Sequence, residues 1–418
     1  MKINRTLRPP LHPIEKVDFK SPAVITKSGL KVYHMSDVPN ETTRFDIYFN
    51  AGKIEGNNVL ASIVNGLLLS GTKNKTSNEI NSEINALGAY YESGVTMENA
   101  VVSIYCLKEN LYETVKIVQD AILNVEFPQK EIDELLNERK QNFLISMEKV
   151  SFNAQREFQK QLFSSDKRYN SITELEHFND ISRDDVISFH DQYYLNGLEK
   201  LVIVSDLKRD EVDRIIDLFS PFKIGIEDHS SHLVNQRDSI NKPMKNALQS
   251  AIRVGRILFT KEHEDYLDFL ILNTIIGDYF GSRLMKNIRE DKGYTYGIGS
   301  MISEFKKSGY FLIATEVGTE VKEDALNQIK LELERLQTEP VPEYELELVR
   351  NYMLGQLLKS ADGPYAMTDL FLSVEIHGKS LDFYNEAIHR IQNIRPERIM
   401  ELAKKYLNWK DLTIVTAG

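Results

Sequence analysis

The chain has 418 residues, more than one hydrophobic core normally serves, so two or three domains are expected. Its 42% hydrophobic and 27% charged residues belong to an ordinary globular protein and argue against pervasive disorder. With 51 Lys and Arg against 62 Asp and Glu, the net charge of −11 argues against nucleic acid or an anionic membrane as the main partner, because both reward clustered positive charge.

At the N-terminus, Met1-Lys-Ile-Asn-Arg-Thr-Leu-Arg-Pro9-Pro10 has early positive charge but puts prolines where a signal peptide needs roughly 7–15 apolar residues. No segment reaches the roughly 18 consecutive apolar residues of a membrane span, and a cytoplasmic protein is expected. Residues 31–34 and 43–49 then alternate apolar and polar with the period of strands that bury one face. A helix over 58–69 stops near Gly71, and Thr76 opens a second helix that Gly88 closes. Residues 100–105 read as a strand. The single cysteine, Cys106, follows it, cannot form an intrachain disulfide, and is expected to fill core rather than act as a nucleophile. Helices are predicted over 109–123 and 129–163, and a last helix and strand over 183–205.

Residues 223–243 are polar and rich in breakers, and read as a linker between domains at 1–222 and 244–418. His229-x-x-His232 beside Glu227 and Asp228 reads as part of this solvated linker, not as a metal site. Beyond it, elements are predicted at 267–277, 282–292, 309–315, 322–337, 342–360, 396–407 and 412–416. The order matches the first half: an α+β fold of two domains, each a mostly antiparallel sheet with helices packed on one face.

The halves also share sequence. Phe127-Pro128-x-x-Glu131-Ile is echoed by Val341-Pro342-x-x-Glu345-Leu, a spacing of 341 − 127 = 214 residues. Ile181 through Asp185-Val is echoed by Ile394 through Arg398-Ile, a spacing of 394 − 181 = 213. Two stretches with nearly one offset indicate a duplicated domain, because stacked solenoid repeats have periods of only about 20–50 residues. Glu131, Glu134 and Glu138 with Arg139, and Glu345, Glu347 and Arg350 in the second copy, read as charged, solvated helix faces. Tyr90-Tyr91, 295 − 90 = 205 residues before Thr295-Tyr296, reads as the first copy's strand start, in the core.

The block Gly277-Asp-Tyr-Phe-Gly281-Ser282-Arg283-Leu284, continuing through Arg289-Glu290 to Gly293-Tyr-Thr-Tyr296-Gly, resembles a hallmark of the pitrilysin-type zinc metallopeptidases, the inverzincin family of the mitochondrial processing peptidase. The duplication and the Pro-x-x-Glu helix start extend the resemblance over essentially the whole chain. Tyr294 departs from the pattern, an aliphatic residue being commoner there. The family carries H-x-x-E-H on a helix of its N-terminal domain, where two histidines one turn apart hold zinc and the glutamate deprotonates the bound water. Alignment on Gly71-Thr72 puts Ser62, Asn65 and Gly66 at those three positions, and the family's distal glutamate ligand falls on Ile145. Serine and asparagine are poor zinc donors, glycine has none, and an amide cannot take a proton from water. Glu148 lies close by, but one carboxylate makes no catalytic zinc site. None of the nine histidines falls in H-x-x-E-H, H-E-x-x-H or H-x-H.

What the resemblance retains is Arg289 and Tyr296, matching a family pair that reaches from the C-terminal domain to the zinc helix and contacts the substrate carbonyl. A guanidinium and a phenol both donate hydrogen bonds to developing negative charge. Gly293, Gly297 and Gly299 lack the Gly-Lys-Ser/Thr of a phosphate loop and are read as turn or close-approach positions. Residues 296–303, with Gly297 and Ser300 beside the Arg/Tyr pair, are a candidate surface for an extended peptide added to a sheet edge. The implied function is a non-catalytic subunit of a heterodimeric zinc peptidase. On that reading this chain is expected to bind no cofactor, to grip unfolded or short peptides, and to lend Arg289 and Tyr296 to a homologous partner that carries H-x-x-E-H and zinc. The alternatives are an inactive assembly subunit, as in respiratory-complex cores, and a peptide-binding homodimer; neither nucleic acid nor membrane is a partner.

Overall fold

A computed structural model of the chain describes residues 14, 16–39, 41–225, 231 and 233–418. The first half forms β1 (Ala23–Lys27), β2 (Leu30–Met35), β3 (Thr42–Phe49), α1 (Asn58–Gly66), α2 (Ser77–Ala86), β4 (Tyr90–Val95), β5 (Ala100–Leu107), α3 (Leu111–Leu123), α4 (Gln129–Met147), α5 (Val150–Leu162), α6 (Arg183–His190), β6 (Leu198–Val204) and α7 (Arg209–Asp217). Helix starts follow local chemistry. The Asn57 side chain accepts the Leu60 N–H at 2.7 Å to cap α1, and Thr76 with Glu79 forms a reciprocal capping box on α2.

The second half forms β7 (Ser239–Lys242), β8 (Gln249–Leu258), α8 (Tyr266–Ile276), a π-helical segment Met285–Asp291, β9 (Ile298–Glu304), β10 (Gly309–Gly318), α9 (Lys322–Thr338), α10 (Glu343–Ser360), α11 (Gly363–Glu375), α12 (Asp382–Asn393), α13 (Pro396–Tyr406) and β11 (Thr413–Ala417).

The sheets repeat one topology. Strand order is β1-β2-β6-β3-β5-β4 in the first and β7-β11-β8-β10-β9 in the second. In each, the last strand of the half pairs in parallel with an early strand (β2–β6, β7–β11), and all other pairings are antiparallel. The duplication read from the sequence is therefore a duplication of fold.

One face of each sheet packs on helices of its own half, giving two separate cores, one around Phe45, Ile47, Ile63 and Val115, the other around Phe269, Phe311, Ile329 and Leu402. The opposite face is covered from across the joint. Tyr33, Met35, Val202 and Val204 of the first sheet pack against Phe371, Leu372 and Val374 of α11. Reciprocally, Ala154, Phe158 and Leu162 of α5 pack under Ala251, Leu312, Val415 and Ala417 of the second sheet. This exchange explains the continuous apolar run of β6, buried on both faces.

It also explains why the helix predicted over 129–163 is two helices. The chain leaves α4 at Glu148-Lys149, with Lys149 extended and Asn153 Nδ2 donating to the Met147 carbonyl at 2.6 Å, so that α5 reaches the other sheet. The stretch read as linker also changes: Ser239–Lys242 is a strand paired with β11, and Asn235 Nδ2 donates to the Asp411 carbonyl at 2.8 Å. Glu227, Asp228, His229 and His232 lie outside the described residues. Among the described residues no helix is long and apolar enough to cross a membrane.

Candidate functional site

At the positions aligned with the family's zinc ligands, α1 has Ser62 half-buried, Asn65 buried and Gly66 exposed. Asn65 is buried, and its Nδ2 donates to the Tyr194 hydroxyl at 3.2 Å. Burial raises the Tyr194 phenol well above its ordinary value, so it stays a neutral partner. Ser62 is half-buried on the same helix, and Gly66 meets α4 so closely that an added Cβ would sit 3.0 Å from Leu135 Cδ2. Ile145 lies ten residues beyond Leu135, about 15 Å along α4, and its side chain is exposed. The residue facing Gly66 is thus Leu135, which nothing in the sequence singled out. A hydroxyl, an amide committed to a phenol, a glycine and an isoleucine do not fit zinc. Among the described residues no cluster of three or more His, Cys, Asp or Glu has metal-binding geometry. Cys106 is buried in β5 beside Thr43, and burial pushes its thiol up, away from the thiolate a nucleophile needs.

The corner carrying Arg289 and Tyr296 is built differently. The segment predicted as a helix over 282–292 is wound as a π-helix, Met285–Asp291, and is tied down from several sides. Arg283 makes a bidentate ion pair with Glu345 of α10 at 2.8 and 2.9 Å, both side chains largely buried. Glu345, read above as solvated, is therefore corrected: it is the anchor of the Ser-Arg-Leu turn. Asn287 Nδ2 donates to Glu332 of α9 at 2.8 Å, and the Tyr294 hydroxyl donates to Asp324 at 2.7 Å, which gives the tyrosine at this position a role no aliphatic residue has.

On this scaffold Arg289 stands over the Phe280 ring, its guanidinium carbon 4.4 Å from the ring centre, with no carboxylate partner among the described residues. Tyr296 is 96% exposed. Its neighbours are held while it is not: Thr295 Oγ1 accepts the Gly297 N–H at 3.1 Å, and Thr315 Oγ1 donates to the Gly297 carbonyl at 3.0 Å. A backbone bond from Tyr294 N to Ile288 O at 3.0 Å joins this loop to the π-helix one residue before Arg289. Gly293, at φ +67°, makes the turn between them.

From Ile298 the chain runs into β9, the outer strand of its sheet, bonded only to β10. Among the described residues no strand pairs with its other edge. The Ser300 side chain points inward, its Oγ donating to the Asn273 carbonyl at 3.1 Å, and Gly277 packs so tightly there that a Cβ would meet Ser300 N at 2.6 Å. Ser300 is buried with both its side chain and its backbone N against the end of α8, whereas Gly297 is open. Phe280 was not recognised from the sequence although it stands inside the family-like block. Tyr90, expected in the core, is exposed and stacks on Tyr105 at 4.8 Å.

Comparison with known proteins gives the family and the fold. Residues 31–174 match the model of insulinase, peptidase family M16, and residues 180–353 match that of the peptidase M16 inactive domain. The chain belongs to peptidase family M16. Across 405 residues it is 24% identical to an uncharacterized zinc protease of Rickettsia felis, covering 91% of this chain and 93% of that one. It is 24% identical over 310 residues to the β subunit of the mitochondrial-processing peptidase of Caenorhabditis elegans, 66% of this chain and 64% of that one. The fold superposes on a peptidase M16 inactive domain from Pseudomonas fluorescens with a TM-score of 0.85 at 20% identity, covering 95% of this chain and 98% of that one. Given the residues on α1 and α4, this is an inactive-type, peptidase-like M16 member.

Proposed function

We propose that this M16 chain is the non-catalytic subunit of a heterodimeric zinc peptidase, binding peptide and lending Arg289 and Tyr296 to the active site of a homologous H-x-x-E-H-bearing partner. The carrying observation is the contrast between its two halves. On the zinc face of α1, Asn65 is committed to Tyr194 and neither Ser62 nor Gly66 offers a zinc ligand, while Arg289, half-buried over Phe280, and the exposed Tyr296 stand on an anchored corner with their donors uncommitted among the described residues. The similarity to a named subunit of the mitochondrial-processing peptidase supports a paired assembly.

In this reading, a peptide lies along the free edge of β9, where strand addition fixes its backbone without regard to sequence. The scissile carbonyl then faces the Arg289 guanidinium and the Tyr296 hydroxyl. Both are donors, and they stabilise the oxygen most when it carries negative charge in the transition state. Phe280 holds the guanidinium by its ring face. The metal and the general base come from the partner.

The test is reconstitution with the H-x-x-E-H-bearing homologue on an unstructured peptide. The chain alone is expected to cleave nothing, the pair to cleave, and Arg289→Ala or Tyr296→Phe to lower kcat on the order of 100-fold. Cleavage by the chain alone overturns the proposal. Full activity of the paired Arg289→Ala variant would leave only an assembly role.

A further inference from the structure

Helix α10 is apolar on two sides. Leu346 and Val349 are buried in the second core, but Tyr344 (67% exposed), Leu348 (55% exposed) and Tyr352 form a second stripe at i, i+4 and i+8 that faces outward. The duplication supplies an internal control. At the spacing of 214 residues, the same face of α4 carries Lys130, Glu134 and Glu138 (344 − 214, 348 − 214, 352 − 214). There Lys130 and Glu134 make a solvent-exposed i, i+4 ion pair at 3.7 Å. The fold therefore does not require apolar residues at these positions, and an exposed apolar patch on one copy alone marks a contact surface.

The stripe is continuous with the Arg289 corner. Tyr352 packs on Tyr279, ring centres 5.0 Å apart; the next residue, Phe280, is exposed and lies under Arg289 at 4.4 Å. From Tyr344 to Tyr352 the helix rises about 12 Å, the span of roughly four residues of extended chain. The apolar surface offered is on the order of 400 Å². It begins at Phe280 beneath the Arg289 guanidinium and runs on through Tyr279 and Tyr352, so the occupant that fits it is the peptide held at Arg289, and its length suits three or four side chains.

We propose that this stripe is a specificity surface of the peptide site. It selects unstructured segments with large aliphatic or aromatic side chains on the stretch that extends from Arg289 along α10. The inference rests on the reading of Arg289 and Tyr296 as peptide contacts. Phe280 serves both functions, as a platform for the guanidinium and as the first apolar subsite.

The experiment is fluorescence anisotropy of the full-length chain with two labelled 12-residue peptides of equal charge, one containing Leu, Phe and Tyr and the other Ser, Gly and Asn in their place. The wild-type chain is expected to bind the apolar peptide at least tenfold more tightly. Replacing the stripe by the first copy's own residues (Tyr344→Lys, Leu348→Glu, Tyr352→Glu) is expected to abolish that preference and leave the polar peptide unaffected. Leu348→Glu alone, expected to lower the preference several-fold, serves if the triple variant fails to fold. A preference that survives these changes overturns the inference. So does a stripe variant that turns a dimer into a monomer in sedimentation while peptide preference is unchanged. The underlying reading fails separately: Arg289→Ala should weaken both peptides alike, and unchanged binding of both would reject Arg289 as a peptide contact while the stripe is judged on preference alone.

Discussion

The same Pro-x-x-Glu turn opens α4 as Pro128-Gln-Lys-Glu131 and α10 as Pro342-Glu-Tyr-Glu345, yet the two glutamates have different fates. Glu131 is half-buried with no ion pair among the described residues, while Glu345 is buried and clamps Arg283 with two hydrogen bonds. The second copy has turned a helix-start acid into the anchor of the corner that carries Arg289 and Tyr296, and the first copy has no such pair to support. Removing the acid tests this directly. Glu345→Ala leaves a largely buried guanidinium without its partner and is expected to cost about 3–5 kcal/mol, read as a lowered midpoint in urea unfolding. Glu131→Ala should stay within about 0.5 kcal/mol. Equal costs in the two copies would end the comparison.

The copies also differ in how they respond to acid. His190 of α6 is buried in the first core, its Nε2 bonded to the Ile122 carbonyl at 2.9 Å and its ring edge-on to Phe127; at the spacing of 213 residues the second copy has Ala403 (190 + 213). Burial holds His190 down at about 4 from an ordinary value of 6.5. Because the folded value is the lower one, the unfolded chain takes up the proton first. The stabilisation is therefore full above pH 6.5 and is lost as the pH falls toward 4, a change of about 3 kcal/mol. Hydrogen exchange at pH 7 and pH 4.5 should show β3, β5 and α6 losing protection well before β8, β10 and α13. In His190→Gln, which has no charge to gain, that difference should shrink.

The sequence carried the duplication, the α+β class and most helices because those rest on periodicity and on local caps such as Thr76–Glu79. It could not carry the exchange of α5 and α11 across the joint, since a helix that covers a distant sheet has the same local pattern as one that covers its own. Nor could it place Glu345. A glutamate on a charged helix face looks solvated until Arg283, 62 residues earlier in the chain, is brought against it. Ser62, Asn65 and Gly66 were legible as chemically unfit for zinc, but their contacts with Tyr194 and Leu135 are long-range and appear only in the fold.

Those contacts set the third prediction. Asn65→Ala leaves the fully buried Tyr194 hydroxyl without its donor and is expected to cost about 1–3 kcal/mol, measured by thermal unfolding. Restoring a carboxylate with Asn65→Glu should destabilise the chain at least as much, because the new acid replaces a neutral amide inside the core. A stable Asn65→Glu variant would mean that this position of α1 tolerates a carboxylate and that the Asn65–Tyr194 contact does not exclude one.

The smallest effect on stability is expected where the functional effect is largest. Tyr296 touches solvent almost everywhere, and its loop is held by Thr295 and Thr315, so Tyr296→Phe should shift unfolding by less than about 0.5 kcal/mol. Tyr90, which opens the corresponding strand of the first copy, stacks on Tyr105 across the β4–β5 pair, and Tyr90→Ala should cost about 0.5–1.5 kcal/mol. The pair of measurements separates a side chain kept for packing from one kept for contact with something outside the chain. If Tyr296→Phe instead unfolds as readily as Tyr90→Ala, the phenol is bonded within the protein and is not available to a peptide carbonyl.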